Sequence, residues 1–277
     1  MVVRLRLMKT SPRLACHDVA FAYGRHAVLR DVDFSIEPGA WIGLIGPNGV
    51  GKTTLMHLLV GALAPTGGAV KLDGDDLARL PPESRARRLA VVPQARPLVF
   101  GYTAAEMVAM GRHPHRGSLQ WHLTREDREQ IAWALELTGT RALASRRFNE
   151  LSGGEQQLVV IARALAQSTE TLLLDEPTAA LDLRHQAEIL NVLQQLRRER
   201  GTTIFWIAHD LNLVGRLVDR LVLLSEGRIA AEGRPDAILT EETLSRVYGT
   251  SVRVEVRGDG RRMVDLELEQ AKSDGAA

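Results

Sequence analysis

Short apolar stretches separated by polar turns dominate the sequence, which is the pattern of buried β-strands. Runs of β-branched and other apolar residues predict strands at 14–21, 32–36, 41–45, 88–92, 172–175, 203–208 and 221–224. Between residues 103 and 167 the apolar positions instead recur with helical spacing, most clearly at 124–137 and again after Gly153. The pattern therefore predicts an α/β fold that contains a helical insert.

The C-terminal part has a different pattern, in which apolar and polar residues alternate. The alternation runs over 252–256 and again over 264–268, and Gly-Asp-Gly at 258–260 provides a turn between them. These features predict a β-hairpin within residues 249–270. Residues 271–277 are small and polar, and we expect them to be disordered.

Composition narrows the class of protein. The 277 residues are 45% hydrophobic and 25% charged, as is typical of globular domains. A formal net charge of +1 disfavours a nucleic-acid-binding domain, which usually carries a strong basic excess, so we expect no nucleic-acid partner. Cys16 is the single cysteine, so no disulfide can form within the chain. No apolar run reaches the roughly 20 residues that a membrane-spanning helix needs, and any membrane role should be peripheral.

Residues 46–54 read GPNGVGKTT and form a complete GxxxxGK[ST] phosphate-binding loop. Its glycines let backbone N–H groups turn toward phosphate oxygens, and the start of the following helix adds positive potential. We expect Lys52 to neutralise charge on the β- and γ-phosphates and the Thr53 hydroxyl to bind Mg²⁺. The residues expected to bind ATP here are Gly46, Pro47, Asn48, Gly49, Val50, Gly51, Lys52, Thr53 and Thr54.

Two carboxylates end the apolar stretch LLLDE at 172–176. Asp175 is expected to hold Mg²⁺ through water, and Glu176 is positioned to polarise the water that attacks the γ-phosphate. Apolar strands often end in acidic residues, so this motif by itself is weak evidence for a nucleotide site. Its place downstream of a phosphate loop makes the nucleotide interpretation strong.

Three further polar residues are candidates because of where they follow predicted strands. Gln94 and His209 each come directly after a strand, so both should lie at the edge where open α/β sheets bind ligands. Tyr23 lies next to Gly24 near the predicted first hairpin. Taken alone, each of the three is more often an ordinary loop residue than a functional one.

Residues 151–157 read LSGGEQQ, and with this string the sequence resembles the ABC ATPase family. The resemblance spans residues 14–248, with every motif in family order. It implies the α/β P-loop NTPase fold of ABC ATPases, with a RecA-like core, an N-terminal antiparallel β subdomain and a helical subdomain. The implied boundaries are 13–248 for the ATPase domain and about 97–167 for the inserted helical subdomain.

The resemblance also implies a role for each candidate residue. It assigns adenine stacking to Tyr23, the general base to Glu176, and contact with the γ-phosphate to His209. Gln94 becomes the residue that senses Mg²⁺ and the permease. The implied catalytic residues are Lys52, Gln94, Glu176 and His209, and the implied metal site is Thr53, Gln94 and Asp175.

Other family roles concern ATP held by a second copy of the chain. Ser152, Gly153 and Gly154 would bind the γ-phosphate of the partner's ATP through a capped helix N-terminus. Asp182 belongs to the loop that crosses the dimer. Leu158 and Ala179 depart from the residues usual in the family, arginine and serine, but neither position is a nucleotide ligand.

Several strings resemble the bacterial importers of haem, iron-siderophore complexes and vitamin B12, with haem favoured. These are MGRHPH at 110–115, LDLRHQ at 181–186, HDLNL at 209–213 and the segment 232–249. Two further segments, 91–97 and 148–157, favour the haem importers within this group. The resemblance implies ATP and Mg²⁺ as cofactors and a head-to-tail dimer with a second copy of the chain. It also implies an integral-membrane permease dimer, an indirect periplasmic cargo-binding partner, and a location at the cytoplasmic face of the bacterial inner membrane.

The alternatives are a vitamin B12 importer and a non-transport ABC ATPase. Repair ATPases of the family usually carry long coiled-coil inserts and translation factors carry two fused ATPase domains, and this chain has neither. The apolar residues 97–100, just after Gln94, are predicted to dock the permease. His113, His115 and His122 are interpreted as surface residues and not as a cargo site.

Overall fold

A six-stranded sheet organises the computed structural model, which describes residues 11–94, 101–116 and 122–267. Five neighbouring strands run parallel and the sixth, at one edge, is antiparallel. Numbered along the chain, the spatial order is β10 (Arg228–Gly233), β9 (Arg220–Ser225), β3 (Trp41–Ile45), β8 (Thr203–Ile207), β7 (Thr171–Asp175) and β6 (Leu89–Val92). Every residue of β3, β7 and β8 is buried, as expected for parallel strands that are covered on both faces.

A second, antiparallel sheet covers one face of the first. Its spatial order is β2 (His26–Ile36), β1 (Leu14–Tyr23), β4 (Gly67–Leu72) and β5 (Asp75–Asp76). Apolar residues of this sheet share one core with the facing side of the six-stranded sheet. Phe34 of β2 stacks on Phe205 of β8, with ring centroids 6.0 Å apart. The antiparallel sheet is therefore fixed against the strands that carry the sequence motifs.

Helices cover the opposite face and form the insert between β6 and β7, while the helix that follows β3 packs in the core that the two sheets share. The helices of the described residues are α1 (Lys52–Leu59), α2 (Pro82–Arg88), α3 (Ala104–Ala109), α4 (Arg125–Leu137), α5 (Gly153–Ala166), α6 (Leu183–Arg200), α7 (Leu211–Val214), α8 (Pro235–Ile238) and α9 (Glu241–Tyr248). Shorter 3₁₀ segments occur at Leu77–Arg79, Met110–His115, Arg141–Leu143 and Phe148–Glu150. Each helix of the insert starts with a reciprocal capping box, from Thr103, Thr124 and Ser152. In the described part, no helix is long and apolar enough to cross a membrane.

The strands predicted from apolar runs are all present, and the differences have local causes. β2 begins at His26, earlier than predicted. Its first residues are mostly exposed, so they form no run of buried apolar residues from which the strand could be predicted. β4 was not predicted because it opens with two glycines, which weaken a strand signal. Gly68 there has φ of 72°, and a Cβ would lie 2.2 Å from the Asp18 carbonyl oxygen. β10, also not predicted, is an edge strand of small and polar residues.

The predicted C-terminal hairpin is present as β11 (Val252–Val256) and β12 (Arg262–Leu266). The two strands form their own two-stranded sheet. Leu268 and the tail 271–277, for which disorder was expected, lie outside the described residues.

A buried ion pair joins the elements of the helical insert. Arg112 donates from Nε to Asp127 Oδ1 at 2.7 Å and from Nη1 to the Ala166 carbonyl at 3.0 Å. The Arg112 and Asp127 side chains are 2% and 4% exposed. Burial alone would raise the pKa of Asp127, but hydrogen bonds from Arg112 and Thr124 outweigh it and lower the pKa to about 2.

We predict that Arg112→Ala lowers the free energy of unfolding by about 3–5 kcal/mol, because it leaves the Asp127 carboxylate buried without its cation. Urea denaturation measures the change. Arg125→Ala is the matched control, since it breaks an ion pair with Glu129 of similar length, 2.8 Å, that is exposed. The native pKa of Asp127 is depressed, so the pair's contribution should be complete above pH 4 and vanish as pH falls toward 2. Equal destabilisation by the two variants would contradict this.

Candidate nucleotide site

The loop after β3 curls tightly because three of its glycines have positive φ. Gly46, Gly49 and Gly51 have φ of 149°, 75° and 107°. A Cβ at Gly46 would lie 2.2 Å from the Leu224 carbonyl oxygen, so no side chain fits there. α1 begins directly after the loop, and its free N-terminal N–H groups favour an anion. The other predicted loop residues, Pro47, Asn48, Val50 and Thr54, belong to the same turn and its helix start.

Lys52 places a buried cation inside this loop. Its Nζ donates to the carbonyl oxygens of Gly46 at 2.7 Å and Pro47 at 2.8 Å, and the residue is 6% exposed. Burial lowers the pKa of Lys52, while the negative charges of Glu176 and Asp175 act against that shift. The ammonium group is therefore held at the loop by acceptors that phosphate oxygens can replace.

Asp175, the last residue of β7, lies beside the start of α1. The Thr53 hydroxyl donates to Asp175 Oδ2 at 3.3 Å. Burial and the nearby charge of Glu176 raise the pKa of Asp175. Its other oxygen, Oδ1, is buried and has no hydrogen-bond partner among the described residues. A cation here would compensate the ionised carboxylate, and the hydroxyl and carboxylate oxygens are the ligands that Mg²⁺ prefers.

Glu176 is held from both sides by the two polar residues predicted at this edge. Gln94 Nε2 donates to Glu176 Oε2 at 3.1 Å, and His209 Nε2 contacts Glu176 Oε1. The Glu176 backbone adopts φ of 51° and its N–H donates to the Ile207 carbonyl at 3.0 Å. Gln94, Glu176 and His209 follow β6, β7 and β8, which are adjacent in the sheet. They meet, as predicted, because parallel strands end at one edge.

The residues assigned to a partner's nucleotide lie together on another part of the chain. Ser152 caps α5, and its hydroxyl accepts from the Glu155 N–H at 3.3 Å. Asp182 caps α6 and accepts from His185 N–H and contacts its Nδ1, both at 2.9 Å. A Cβ at Gly154 would lie 2.2 Å from the His185 ring. The approach of Gly154 to His185 joins α5 to α6, and Gly153 lines the same cavity as Gln94 and Glu176.

Tyr23 lies on the hairpin that borders the phosphate loop. Its ring is 52% exposed and meets Phe21 edge-on, with centroids 4.8 Å apart. On the other strand of that hairpin, Val28 comes within 3.0 Å of where a Cβ of Gly51 would be. An exposed aromatic ring is thus available next to the loop.

Two residues that lie beside the site, Tyr248 and His185, were not predicted from the sequence. Burial raises the pKa of Tyr248 to about 12, and a hydrogen bond from the Gly46 backbone acts in the opposite direction. This tyrosine ends α9, far along the chain from the loop that it contacts, and no local pattern marks it. His185 lies within the quoted string 181–186, but only the packing shows that it supports Gly154.

Residues 97–100, predicted to dock the permease, lie outside the described residues. His113 and His122 are exposed, as predicted, whereas His115 is partly buried and its Nε2 lies 2.7 Å from the Gln167 carbonyl oxygen. Within the described part, no group of three or more His, Cys, Asp or Glu side chains is arranged to hold a metal ion.

Comparison with known proteins identifies what the chain resembles. The ABC transporter family profile matches residues 29–179. Hemin import ATP-binding protein HmuV of Nocardia farcinica is 45% identical over 230 residues, covering 82% of this chain and 77% of that protein. Iron(3+)-hydroxamate import ATP-binding protein FhuC of Bacillus subtilis is 40% identical, with coverages of 85% and 87%. Cobalamin import ATP-binding protein BtuD of Halobacterium salinarum is 40% identical, with coverages of 82% and 56%.

Solved structures share the fold. The ATP-binding cassette MJ1267 of an ABC transporter, in its ADP conformation, has a TM-score of 0.77 and 27% identity, covering 86% of this chain and 99% of that one. The cassette MJ0796, solved as a dimer, has a TM-score of 0.71 and 29% identity, with coverages of 80% and 98%.

We predict opposite effects of alanine at two adjacent glycines. Gly154→Ala should lower the free energy of unfolding by about 1–3 kcal/mol, because its methyl group collides with the His185 ring. Gly153→Ala is the matched control, since nothing lies within 4 Å of a Cβ there and alanine favours a helix. Urea denaturation of both variants measures the difference. A Gly154→Ala variant as stable as Gly153→Ala would show that α5 and α6 do not pack as described.

Proposed function

This chain belongs to the ABC transporter family, and from that premise we propose that it is the ATP-hydrolysing subunit of a bacterial haem importer. Glu176 is the observation that carries the proposal. Its carboxylate is half-buried, 14% exposed, and both of its oxygens have a polar partner at the mouth of the phosphate loop. A carboxylate fixed in this way suits a group that accepts a proton from water.

The ATPase reaction can be assigned to individual residues. The loop 46–54 binds the phosphates of ATP, Lys52 neutralises their charge, and Tyr23 stacks on adenine. Thr53, Asp175 and Gln94 would hold Mg²⁺, which supplies charge neutralisation at the β- and γ-phosphates when bound.

Glu176 accepts a proton of the attacking water as the water's oxygen bonds to the γ-phosphorus. The bond from that phosphorus to the β–γ bridging oxygen breaks, so the products are ADP and phosphate. Gln94 and His209 fix the direction of the Glu176 carboxylate, and His209 also contacts the γ-phosphate. In this way the side chains at one sheet edge orient the water, while the loop holds the group it attacks.

A second copy of the chain completes each site. Ser152, Gly153 and Gly154 at the start of α5 bind the γ-phosphate held by the partner, and Asp182 lies at the same junction. The dimeric structure of the related cassette MJ0796 supports the assignment. Two ATP molecules would then lie between two head-to-tail subunits.

The names of the relatives support an importer. All three describe import ATP-binding proteins, for hemin, iron(3+)-hydroxamate and cobalamin. By this likeness the chain works with an integral-membrane permease dimer at the cytoplasmic face of the bacterial inner membrane, and indirectly with a periplasmic cargo-binding protein. Haem is preferred because the relative with 45% identity is a hemin import protein, while the other two are 40% identical. A siderophore or vitamin B12 importer is the second candidate, since the margin is small.

We predict that Glu176→Gln binds ATP with near-normal affinity but hydrolyses it at least about 100-fold more slowly, because an amide cannot accept the proton of water. ATP-bound dimers should accumulate and be visible by size-exclusion chromatography. Lys52→Ala is the contrasting variant, because it should lose ATP affinity in direct titration and form no such dimers. Wild-type turnover by Glu176→Gln would remove this residue from the role of base.

The cargo is tested by growth of the source bacterium with the chromosomal copy deleted. Complementation by the wild-type chain should restore growth on haem as the only iron source, and Glu176→Gln should not restore it. Parallel cultures with a ferric hydroxamate siderophore, or with a requirement for vitamin B12, test the other cargoes. If the wild-type chain restores growth only in the siderophore culture or only in the vitamin B12 culture, haem is rejected as the cargo, and the assignment as an importer ATPase is kept. Growth that is independent of the gene in every culture would favour a non-transport ATPase.

A further inference from the structure

The C-terminal hairpin of β11 and β12 is bound along both of its outer edges. On the β12 edge, the Asn212 side chain pairs with both backbone groups of one residue. The Val264 N–H donates to Asn212 Oδ1 at 2.7 Å, and Asn212 Nδ2 donates to the Val264 carbonyl at 3.1 Å. The asparagine amide thus occupies the place that the backbone of a third strand would take.

The β11 edge is bound to α9. The Val254 N–H donates to Glu241 Oε1 at 2.8 Å, and the Val252 N–H donates to Ser245 Oγ at 3.1 Å. α9 ends at Tyr248, which lies beside the Gly46 backbone of the phosphate loop. The hairpin therefore spans from a helix that ends beside the phosphate loop to the segment that carries Asn212.

That segment directly follows His209 in the chain. Asn212 lies in α7, a helix of four residues that starts two residues after His209 and is capped by Asp210, which accepts from the Leu213 N–H at 2.9 Å. A single helical turn has little stability of its own, so external contacts determine where it sits. His209 precedes α7 and contacts Glu176.

We propose that Asn212 is a positioning residue for hydrolysis: its amide fixes α7 to β12 and thereby holds His209 against Glu176. The inference rests on the proposed role of Glu176 as base. Water could satisfy the backbone groups of Val264 at little cost, so the pairing is not needed to keep the hairpin folded. Water could not, however, fix the position of α7 relative to the hairpin.

Two variants of Asn212 separate positioning from folding. Asn212→Ala removes both hydrogen bonds, and Asn212→Asp keeps the acceptor for Val264 N–H but faces the Val264 carbonyl with a second acceptor. Each should lower kcat by about 3- to 10-fold and leave the KM for MgATP within about 2-fold, because the phosphate loop is untouched. Thermal midpoints should stay within about 3 °C of wild type.

Arg253→Ala is the matched control. It breaks an exposed contact within the hairpin, between Arg253 and Glu267 at 3.5 Å, and leaves the Asn212 pairing intact. Its kcat should equal that of wild type. A fall in kcat of the same size in this control would assign the effect to general loosening of the hairpin and overturn the proposal.

A readout that does not require turnover comes from the His209 imidazole itself. In protein labelled with ¹⁵N-histidine, the His209 resonances are assigned by their loss in His209→Gln. They should shift in Asn212→Ala and Asn212→Asp but not in Arg253→Ala. Unchanged His209 resonances and kcat in both Asn212 variants would refute the proposal. If the wild-type chain hydrolyses no ATP, the proposed function fails, and the resonances still decide whether Asn212 positions His209.

Discussion

The parallel alignment of β3, β8, β7 and β6 is the constraint on which the rest of the structure depends. Parallel strands end at the same edge, so residues far apart in sequence arrive there together. The phosphate loop follows β3, and Gln94, Glu176 and His209 follow the other three strands. The complete burial of β3, β7 and β8 fixes these positions, because a shift in register would expose apolar side chains.

Charge at that edge is incompletely compensated within the chain, which favours the nucleotide and the Mg²⁺ that we propose to bind there. Burial disfavours the charged forms of both Lys52 and Asp175. The attraction between these two opposite charges only partly offsets the cost of burying them. Asp175 also has a buried oxygen without a hydrogen-bond partner among the described residues. Phosphate and a divalent cation would supply the missing partners. Compensation of these buried charges would then contribute to the binding free energy of the ligand.

Three other parts of the chain support this edge from a distance. The capping box at Ser152 and the His185 ring under Gly154 set the helix start that would face a partner's nucleotide. Tyr248 and Asn212 tie the C-terminal segment to the phosphate loop and to the turn after His209. The C-terminal hairpin thus contacts the segment after His209 through Asn212, and it contacts α9 through Glu241 and Ser245.

The sequence by itself determined the elements whose signals are local. The phosphate loop, the apolar strand before Asp175 and the alternation in the hairpin depend on neighbouring residues, so their patterns are legible in the chain. Strands β4 and β10 were missed because glycine and small polar residues form strands there only through pairing with neighbours. The contacts of Asn212, His185 and Tyr248 were decided by the tertiary structure alone, since each joins segments that no sequence spacing relates. Side-chain pairing across such distances follows from how the sheets and helices pack, and a linear pattern does not encode it.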